Sequence, residues 1–273
     1  MSAAVFEVDG ERFLPTAASR AGWYPDALHG GPVAALFARE VERVEAPVPM
    51  MVVRLTVDLL RPVPTRPLTV VTHVARSGKR IQVIDATMEA EGTLVARASA
   101  LRIRLIDQPV PEHPRRDRIP GPESLPPYVM REAGGEWFHT RAAEARFVEG
   151  DFYEPGPATV WMRLAMPLVA GERPTPFQTV AAFSDFGNGL SRVLPRGWLF
   201  INADLTVYLH RHPVDEWVCL RSRTDIDENG IGVAQSELFD RNGAIGHALQ
   251  GLVVEQQEEE GPGFRVPGSG SGV

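Results

Sequence analysis

The sequence predicts an α+β protein of two tandem units, each an antiparallel sheet wrapped around a long helix. Three observations lead to this prediction: a repeated segment, a helical stretch ahead of each copy, and strand-like runs with hairpin turns after it. Residues 55–61 read Leu-Thr-Val-Asp-Leu-Leu-Arg and residues 205–211 read Leu-Thr-Val-Tyr-Leu-His-Arg, an offset of 150 (205 − 55). Because the runs that follow both copies have the same order, we interpret the chain as an internal duplication.

A helical stretch is predicted ahead of each copy. Residues 33–44 follow His29-Gly30-Gly31-Pro32, and Pro32 suits a first helical turn because the N–H that it lacks has no partner there. Several alanines would let this helix lie close against a sheet. The matching stretch at 177–193 contains Gly187-Asn188-Gly189, so that helix is expected to be interrupted or bent.

The strand-like runs that follow are rich in Val, Ile, Leu and Thr and alternate polar with apolar residues, which is typical of antiparallel meanders. Asn242-Gly243 between two such runs is a strong hairpin signal, because both residues tolerate positive φ. The predicted strands are 68–76, 80–90 and 93–105 in the first half, and 141–153, 158–165, 217–225, 231–240 and 244–256 in the second.

Proline density separates the halves, since such a segment favours extended polyproline II and cannot lie inside a sheet. The Gly/Ser-rich end of the chain is expected to be a flexible tail. The predicted organisation is an N-terminal unit at 1–108, a Pro-rich linker at 109–135, a C-terminal unit at 136–257 and the tail at 258–273.

Composition excludes several classes of protein. The net charge of −7 over 273 residues argues against a nucleic-acid binder, which usually shows a basic face. No run of about 18 apolar residues predicts a membrane span, and the N-terminus lacks a secretory signal, so a cytoplasmic protein is expected. The single cysteine, Cys219, lies in an apolar run and is interpreted as a buried inert thiol, with a nucleophile as the alternative.

Several short motifs follow one another in a characteristic order over about residues 10–256. They are His29-Gly30-Gly31-Pro32-Val33-Ala34-Ala35-Leu36, Val57-Asp58-Leu59-Leu60-Arg61-Pro62, Phe183-Ser184-Asp185-Phe186, Ala203-Asp204-Leu205, His210-Arg211-His212-Pro213 and His247-Ala248-Leu249-Gln250-Gly251. In this order they resemble the acyl-CoA thioesterase II family, whose members carry two hotdog units in one chain. A long helix wrapped by an antiparallel meander is the hotdog plan.

The resemblance implies a catalytic set in the second unit, where family members bind and activate a water with an Asp, a Thr or Ser, and a Gln. By motif these fall on Asp185, Asn202 and Gln250. Asn202 departs from the family, because it offers an amide in place of a hydroxyl. The alternatives are an N-cap or turn acid for Asp185, an edge-strand residue for Gln250 and a surface residue for Asn202.

Substrate-binding candidates lie at the two predicted helix starts. Gly30-Gly31 and Gly187-Asn188-Gly189 could bring backbone N–H groups to an oxyanion, because residues without a Cβ let a ligand approach closely. Close helix–sheet packing is the alternative for Gly30 and Gly31. His29 is a candidate for substrate binding or general base catalysis, or a plain helix-start residue.

The expected function is hydrolysis of an acyl-CoA thioester to free acid and CoA, with no cofactor and no metal. A non-catalytic acyl-CoA or acyl-carrier binding protein and a hotdog enoyl-CoA hydratase are the alternatives. Two chains could form a homodimer. Basic residues near strand ends of the first half could bind CoA phosphates or be solvated turn charges; they are Arg61, Arg76, Lys79 and Arg80.

Overall fold

The computed structural model describes residues 4–22, 26–109, 111, 118–130, 136–195 and 197–256. The helices are α1 (Gly30–Arg43), α2 (Phe138–Arg141), α3 (Pro176–Ser184) and α4 (Gly187–Leu190). The strands are β1 (Phe6–Asp9), β2 (Arg12–Pro15), β3 (Met50–Leu59), β4 (Leu68–Arg76), β5 (Ile81–Ala90), β6 (Thr93–Arg104), β7 (Ala143–Glu149), β8 (Ala158–Leu164), β9 (Trp198–Asn202), β10 (Asp204–Leu209), β11 (Val218–Ile226), β12 (Ile231–Asp240) and β13 (Gly243–Gln256).

The strands form one antiparallel sheet in the order β1-β2-β4-β5-β6-β3-β10-β13-β12-β11-β8-β7, and β9 pairs with the end of β13 beyond β10. The α+β class and the antiparallel meanders predicted from sequence are therefore present. The predicted strand from 141 to 153 is shorter, at Ala143–Glu149, and the short strands β1 and β2 were not predicted. The predicted tail and the linker residues 110, 112–117 and 131–135 lie outside the described residues.

The repeat meets itself at the centre of the sheet. Strands β3 and β10 pair antiparallel with Thr56 opposite Thr206, and the two hydroxyl oxygens lie 3.2 Å apart. These two threonines are equivalent in the sequence repeat (206 − 56 = 150). Strands β5 and β12 are each the second strand outward from the β3–β10 pair, and they also start and end 150 residues apart. The two halves therefore have equivalent strands on either side of this pair.

Helices α1 and α3 pack antiparallel against each other. Near the start of α1, a Cβ on Gly31 would overlap the carbonyl oxygen of Ala182 in the last turn of α3. At the other end, Glu42 accepts hydrogen bonds from Thr175 Oγ1 (2.8 Å) and Gln178 Nε2 (2.9 Å) at the start of α3. The packing therefore brings the first turn of α1 to the end of α3.

The predicted interruption in the second helix is present, but it lies ahead of the glycines. Helix α3 ends at Ser184, Asp185 is its C-cap, and α4 starts at Gly187. The backbone carbonyl of Asp185 accepts a hydrogen bond from Gln250 Nε2 on β13 (3.0 Å). A tertiary contact, rather than glycine flexibility alone, thus marks the break. Among the described residues, no helix is long and apolar enough to cross a membrane.

Candidate functional site

The carboxylate of Asp185 lies at the junction of both helices and the sheet. Three side chains from three elements reach it: His29 at the N-cap of α1, Asn202 at the end of β9 and Gln250 on β13. His29 Nδ1 is 2.9 Å from Oδ2, Asn202 Nδ2 donates to Oδ1 at 2.7 Å, and Gln250 Nε2 is 3.4 Å from Oδ1. Asp185 is only 3% exposed, so these contacts take the place of most of its hydration.

The first turn of α1 faces this carboxylate. A Cβ on Gly30 would lie 2.7 Å from both Asp185 oxygens, so a larger residue would displace the acid. The N-terminal end of a helix carries a partial positive charge and exposed N–H groups, which favour a nearby anion. The start of α1 is therefore part of the environment of the Asp185 carboxylate.

Gln250 is held in one orientation. Its Nε2 donates to the Asp185 carbonyl, and its Oε1 accepts from the backbone N–H of Asn188 at 3.2 Å. A Cβ on Gly187 would lie 2.6 Å from Oε1, so the glycine makes room for the amide. Strand β13 is paired on both sides, so the edge-strand alternative for Gln250 is wrong.

The two polar atoms of the Asn202 amide differ in their hydrogen bonding. Its Nδ2 donates to Asp185, whereas its Oδ1 is buried and makes no hydrogen bond within the described part of the chain. A buried acceptor without a donor costs about 1–3 kcal/mol. Its orientation beside the carboxylate suits an acceptor for one hydrogen of a small polar ligand.

His29 has two contacts at one ring nitrogen. Nδ1 lies 2.9 Å from Asp185 Oδ2 and 3.1 Å from the backbone N of Gly31. Nδ1 accepts the hydrogen bond from the Gly31 N–H as the N-cap of α1, and the same atom contacts the Asp185 carboxylate. The ring is fixed by stacking on Phe186, with centroids 4.7 Å apart.

The structure places the sequence candidates in two groups. His29, Gly30, Asp185, Asn202 and Gln250 meet at the carboxylate, and Gly187 and Asn188 border the Gln250 amide. Gly31 allows close packing of α1 on helix α3, whereas the alternative considered for it was packing between helix and sheet. Gly189 lies at the exposed rim, with no atom within 4 Å of where its Cβ would be. Asp185 is the C-cap of α3 and not an N-cap, as well as the centre of the cluster.

His29 was a sequence candidate for substrate binding or general base catalysis, but its contact with Asp185 was not predicted. The sequence pattern placed the whole catalytic set in the second half, because no local spacing links residue 29 to residue 185. A signal was present: the Gly30-Gly31 pair beside His29 allows close approach at that helix start. Sequence alone could not say what would approach.

Within the described residues of the first half, there is no equivalent carboxylate cluster. Aligning Phe37 with Phe183 places Arg39 at the position of Asp185, and Arg39 pairs with Glu172. Val52 and Ala100 stand 150 residues before Asn202 and Gln250. Because apolar side chains cannot orient a water by hydrogen bonds, the described residues of the first half do not repeat the cluster around Asp185.

The other candidates lie apart from this cluster. His212 stacks on Phe177 with centroids 4.9 Å apart, and its Nε2 is 2.9 Å from the Val52 carbonyl oxygen. In the described ranges, no three His, Cys, Asp or Glu side chains are grouped to hold a metal ion. Cys219 is fully buried, and burial raises the pKa of its thiol far above the usual value.

Two family models match the chain. The acyl-CoA thioesterase N-terminal domain matches residues 19–103, and the acyl-CoA thioesterase C-terminal domain matches residues 122–254. No curated protein matches the sequence.

Solved structures share the architecture at low identity. A protein of unknown function with a hot dog fold from Alicyclobacillus acidocaldarius is 18% identical with a TM-score of 0.73, covering 94% of this chain and 97% of that one. The tesB protein of Mycobacterium avium subs paratuberculosis is 18% identical (TM-score 0.66; 92% and 95% covered). The acyl-CoA thioesterase II TesB2 of Mycobacterium marinum is 16% identical (TM-score 0.67; 93% and 96% covered). The fold is therefore the hot dog fold.

Proposed function

The chain belongs to the acyl-CoA thioesterase II family, and we propose that it hydrolyses an acyl-CoA thioester with a water activated by Asp185. The observation that carries the proposal is the buried Asp185 carboxylate, held by His29, Asn202 and Gln250. The proposal takes the two repeats as two hotdog units with the boundaries predicted from sequence. It includes a cytoplasmic location, no cofactor and the option of a homodimer.

Asp185 would act as the general base. The oxygen of the water attacks the thioester carbonyl carbon, and the water's proton passes to the Asp185 carboxylate. The tetrahedral intermediate then expels sulfur as the C–S bond breaks. The leaving CoA thiolate takes up the proton, so the products are a free acid and CoA with a regenerated carboxylate.

Asn202 and Gln250 would orient this chemistry without transferring a proton. Asn202 Oδ1 is the buried acceptor that suits one hydrogen of the attacking water, the task that a hydroxyl would perform at this position in the family. Gln250 fixes the backbone of Asp185 and hence the direction of its carboxylate.

The acyl-CoA carbonyl would approach from the exposed rim of the cluster. Two backbone N–H groups there already have acceptors, because Gly31 N–H donates to His29 Nδ1 and Asn188 N–H donates to Gln250 Oε1. The space above the neighbouring Gly189 is unoccupied, since no atom lies within 4 Å of where its Cβ would be. A carbonyl that enters over Gly189 would meet the rim where the starts of α1 and α4 come together, and developing negative charge is stabilised at helix starts.

The direct test is thiol release from acyl-CoAs with short, medium, long and aromatic acyl groups. We expect release from at least one, and about 10²–10⁴-fold slower turnover in Asp185→Asn. The matched control is Asp85→Asn, an exposed acid on β5, which should keep the full rate. No release from any substrate would exclude hydrolysis, and full activity in Asp185→Asn would exclude the proposed base.

The His29–Asp185 contact supports one second candidate, hydration of an enoyl-CoA. There, water would add its oxygen to the β carbon and a proton to the α carbon, while the thioester stays intact. Loss of enoyl absorbance without thiol release would identify that reaction. Tight acyl-CoA binding with neither change would instead identify a non-catalytic binding protein.

A further inference from the structure

A polar cavity lies in the first half, away from the Asp185 cluster. It has a volume of about 500 Å³, within the range of small-ligand sites. Its walls come from the chain that follows β3, the β5–β6 turn and the segment before His29. The lining residues are Asp26, Arg61, Pro62, Pro64, Thr65, Arg66, Ala90, Glu91, Thr93 and Val95.

The sequence repeat shows what the same place holds in the second half. Arg61 corresponds to Arg211 (211 − 61 = 150). Arg211 donates to both carboxylate oxygens of Asp240, and it also donates to the carbonyls of Gly243 (3.0 Å) and Ala244 (3.3 Å). Asp240 is buried and accepts from the backbone N–H groups of Val214 and Asn242. The arginine of the second half is therefore committed to an internal acid.

The first half has lost this acid. Ala90 stands at the position of Asp240 (240 − 90 = 150), and Pro64, which has no N–H, stands at the position of Val214. In the described ranges, Arg61 has no carboxylate within ion-pair distance. The other lining arginine, Arg66, is paired with Glu91. Of the two lining arginines, Arg61 is thus the one that forms no ion pair within the described ranges.

We propose that this cavity binds a phosphate group of the substrate's CoA moiety, with Arg61 as the principal ligand. A guanidinium can bind two phosphate oxygens with two parallel N–H bonds. The hydroxyls of Thr65 and Thr93 are further donors on the cavity wall. The phosphate would take the place that the Asp240 carboxylate holds beside Arg211.

A segment that borders the cavity leads directly to the Asp185 cluster. Residues 26–28 run beside 63–65, with Thr65 N donating to Asp26 O (3.1 Å) and Leu28 N donating to Val63 O (2.8 Å). The next residue is His29. CoA carries its phosphates and its thioester at opposite ends of the pantetheine arm, so one molecule could occupy both sites. This assignment rests on the proposed acyl-CoA substrate.

Calorimetry with CoA, phosphate-free pantetheine and inorganic pyrophosphate tests the cavity without requiring turnover. We expect Arg61→Ala to weaken CoA binding about tenfold or more, since hydrogen bonds to charged groups are strong. Pantetheine binding should not change. Arg223→Ala, an exposed arginine on β11 in the other half, is the matched control and should bind CoA normally.

A second variant leaves Arg61 in place. Ala90→Asp restores the acid of the second half, and we expect it to pair with Arg61 and weaken CoA binding to a similar degree. Asp26→Asn removes a negative charge from the cavity wall and should tighten CoA binding. Unchanged CoA affinity in folded Arg61→Ala would overturn the proposal, as would an equal loss of CoA and pantetheine affinity in that variant.

Activity separates this proposal from the proposed function. If no acyl-CoA is hydrolysed but CoA binding depends on Arg61, hydrolysis fails and the phosphate site stands. If acyl-CoA is hydrolysed and Arg61→Ala leaves KM unchanged, the phosphate site is wrong and hydrolysis stands. With both correct, Arg61→Ala raises KM for acyl-CoA and leaves KM for an acyl-pantetheine unchanged.

Discussion

His29 and Asp185 come from opposite halves of the chain, and Nδ1 of the imidazole lies 2.9 Å from Oδ2 of the carboxylate. This contact joins the start of α1 to the end of α3. It means that the candidate site belongs to neither half alone. The repeat supplies two similar scaffolds, and the polar cluster lies where the helices of both meet.

His29 is predicted to orient the acid. His29→Ala should lower kcat by about tenfold to a hundredfold, because Asp185 loses the imidazole that contacts its Oδ2 and rotates more freely. The effect should fall on kcat more than on KM. Steady-state kinetics of His29→Ala, Asp185→Asn and the double variant His29→Ala/Asp185→Asn measure the loss in kcat. Independent, multiplying losses in the double variant would show that the two residues do not act together.

Asn202 is predicted to be replaceable by a hydroxyl residue but not by alanine. Asn202→Ala should lower kcat about tenfold to a hundredfold, since both the donor to Asp185 and the acceptor for water are lost. Asn202→Thr should keep a substantial part of the rate. Thermal unfolding should shift little in either variant. Equal loss in both would argue against a water-orienting role.

Gly31 is predicted to be required for helix packing. Gly31→Ala should lower the free energy of unfolding by about 1–3 kcal/mol, because its Cβ would overlap the Ala182 carbonyl. Gly189→Ala is the matched control: its Cβ would meet open space, and alanine favours a helix by up to about 1 kcal/mol. Urea unfolding of both variants gives the comparison. A neutral Gly31→Ala would contradict the close antiparallel packing.

Cys219 is predicted to be inert in the folded protein. Burial raises its pKa, so no thiolate forms near neutral pH, and the side chain is fully enclosed. A thiol reagent should label the protein only after denaturation, and iodoacetamide should leave turnover unchanged. Because Cys219 is the one cysteine of the chain, labelling that is fast in native protein would refute the interpretation directly.

Local sequence signals were sufficient for most of the fold. Alternating residues and hairpin turns predicted strands β4, β5, β6, β11, β12 and β13 to within one residue at each end. The short strands β1 and β2 carry only four residues each, too few for a periodic pattern to stand out. The sequence predicted the helix break at Gly187-Asn188-Gly189. The structure has it at Asp185, where the backbone carbonyl accepts a hydrogen bond from Gln250.

The sequence by itself determined the duplication, the antiparallel meanders and, through motif order, the choice of Asp185, Asn202 and Gln250. These depend on local periodicity, turn chemistry and the identity of single residues. Only the tertiary structure decided that His29 meets Asp185 and that Arg61 faces a cavity while Arg211 is paired with Asp240. Both results depend on which side chains face each other across packed elements, and no local pattern encodes that geometry.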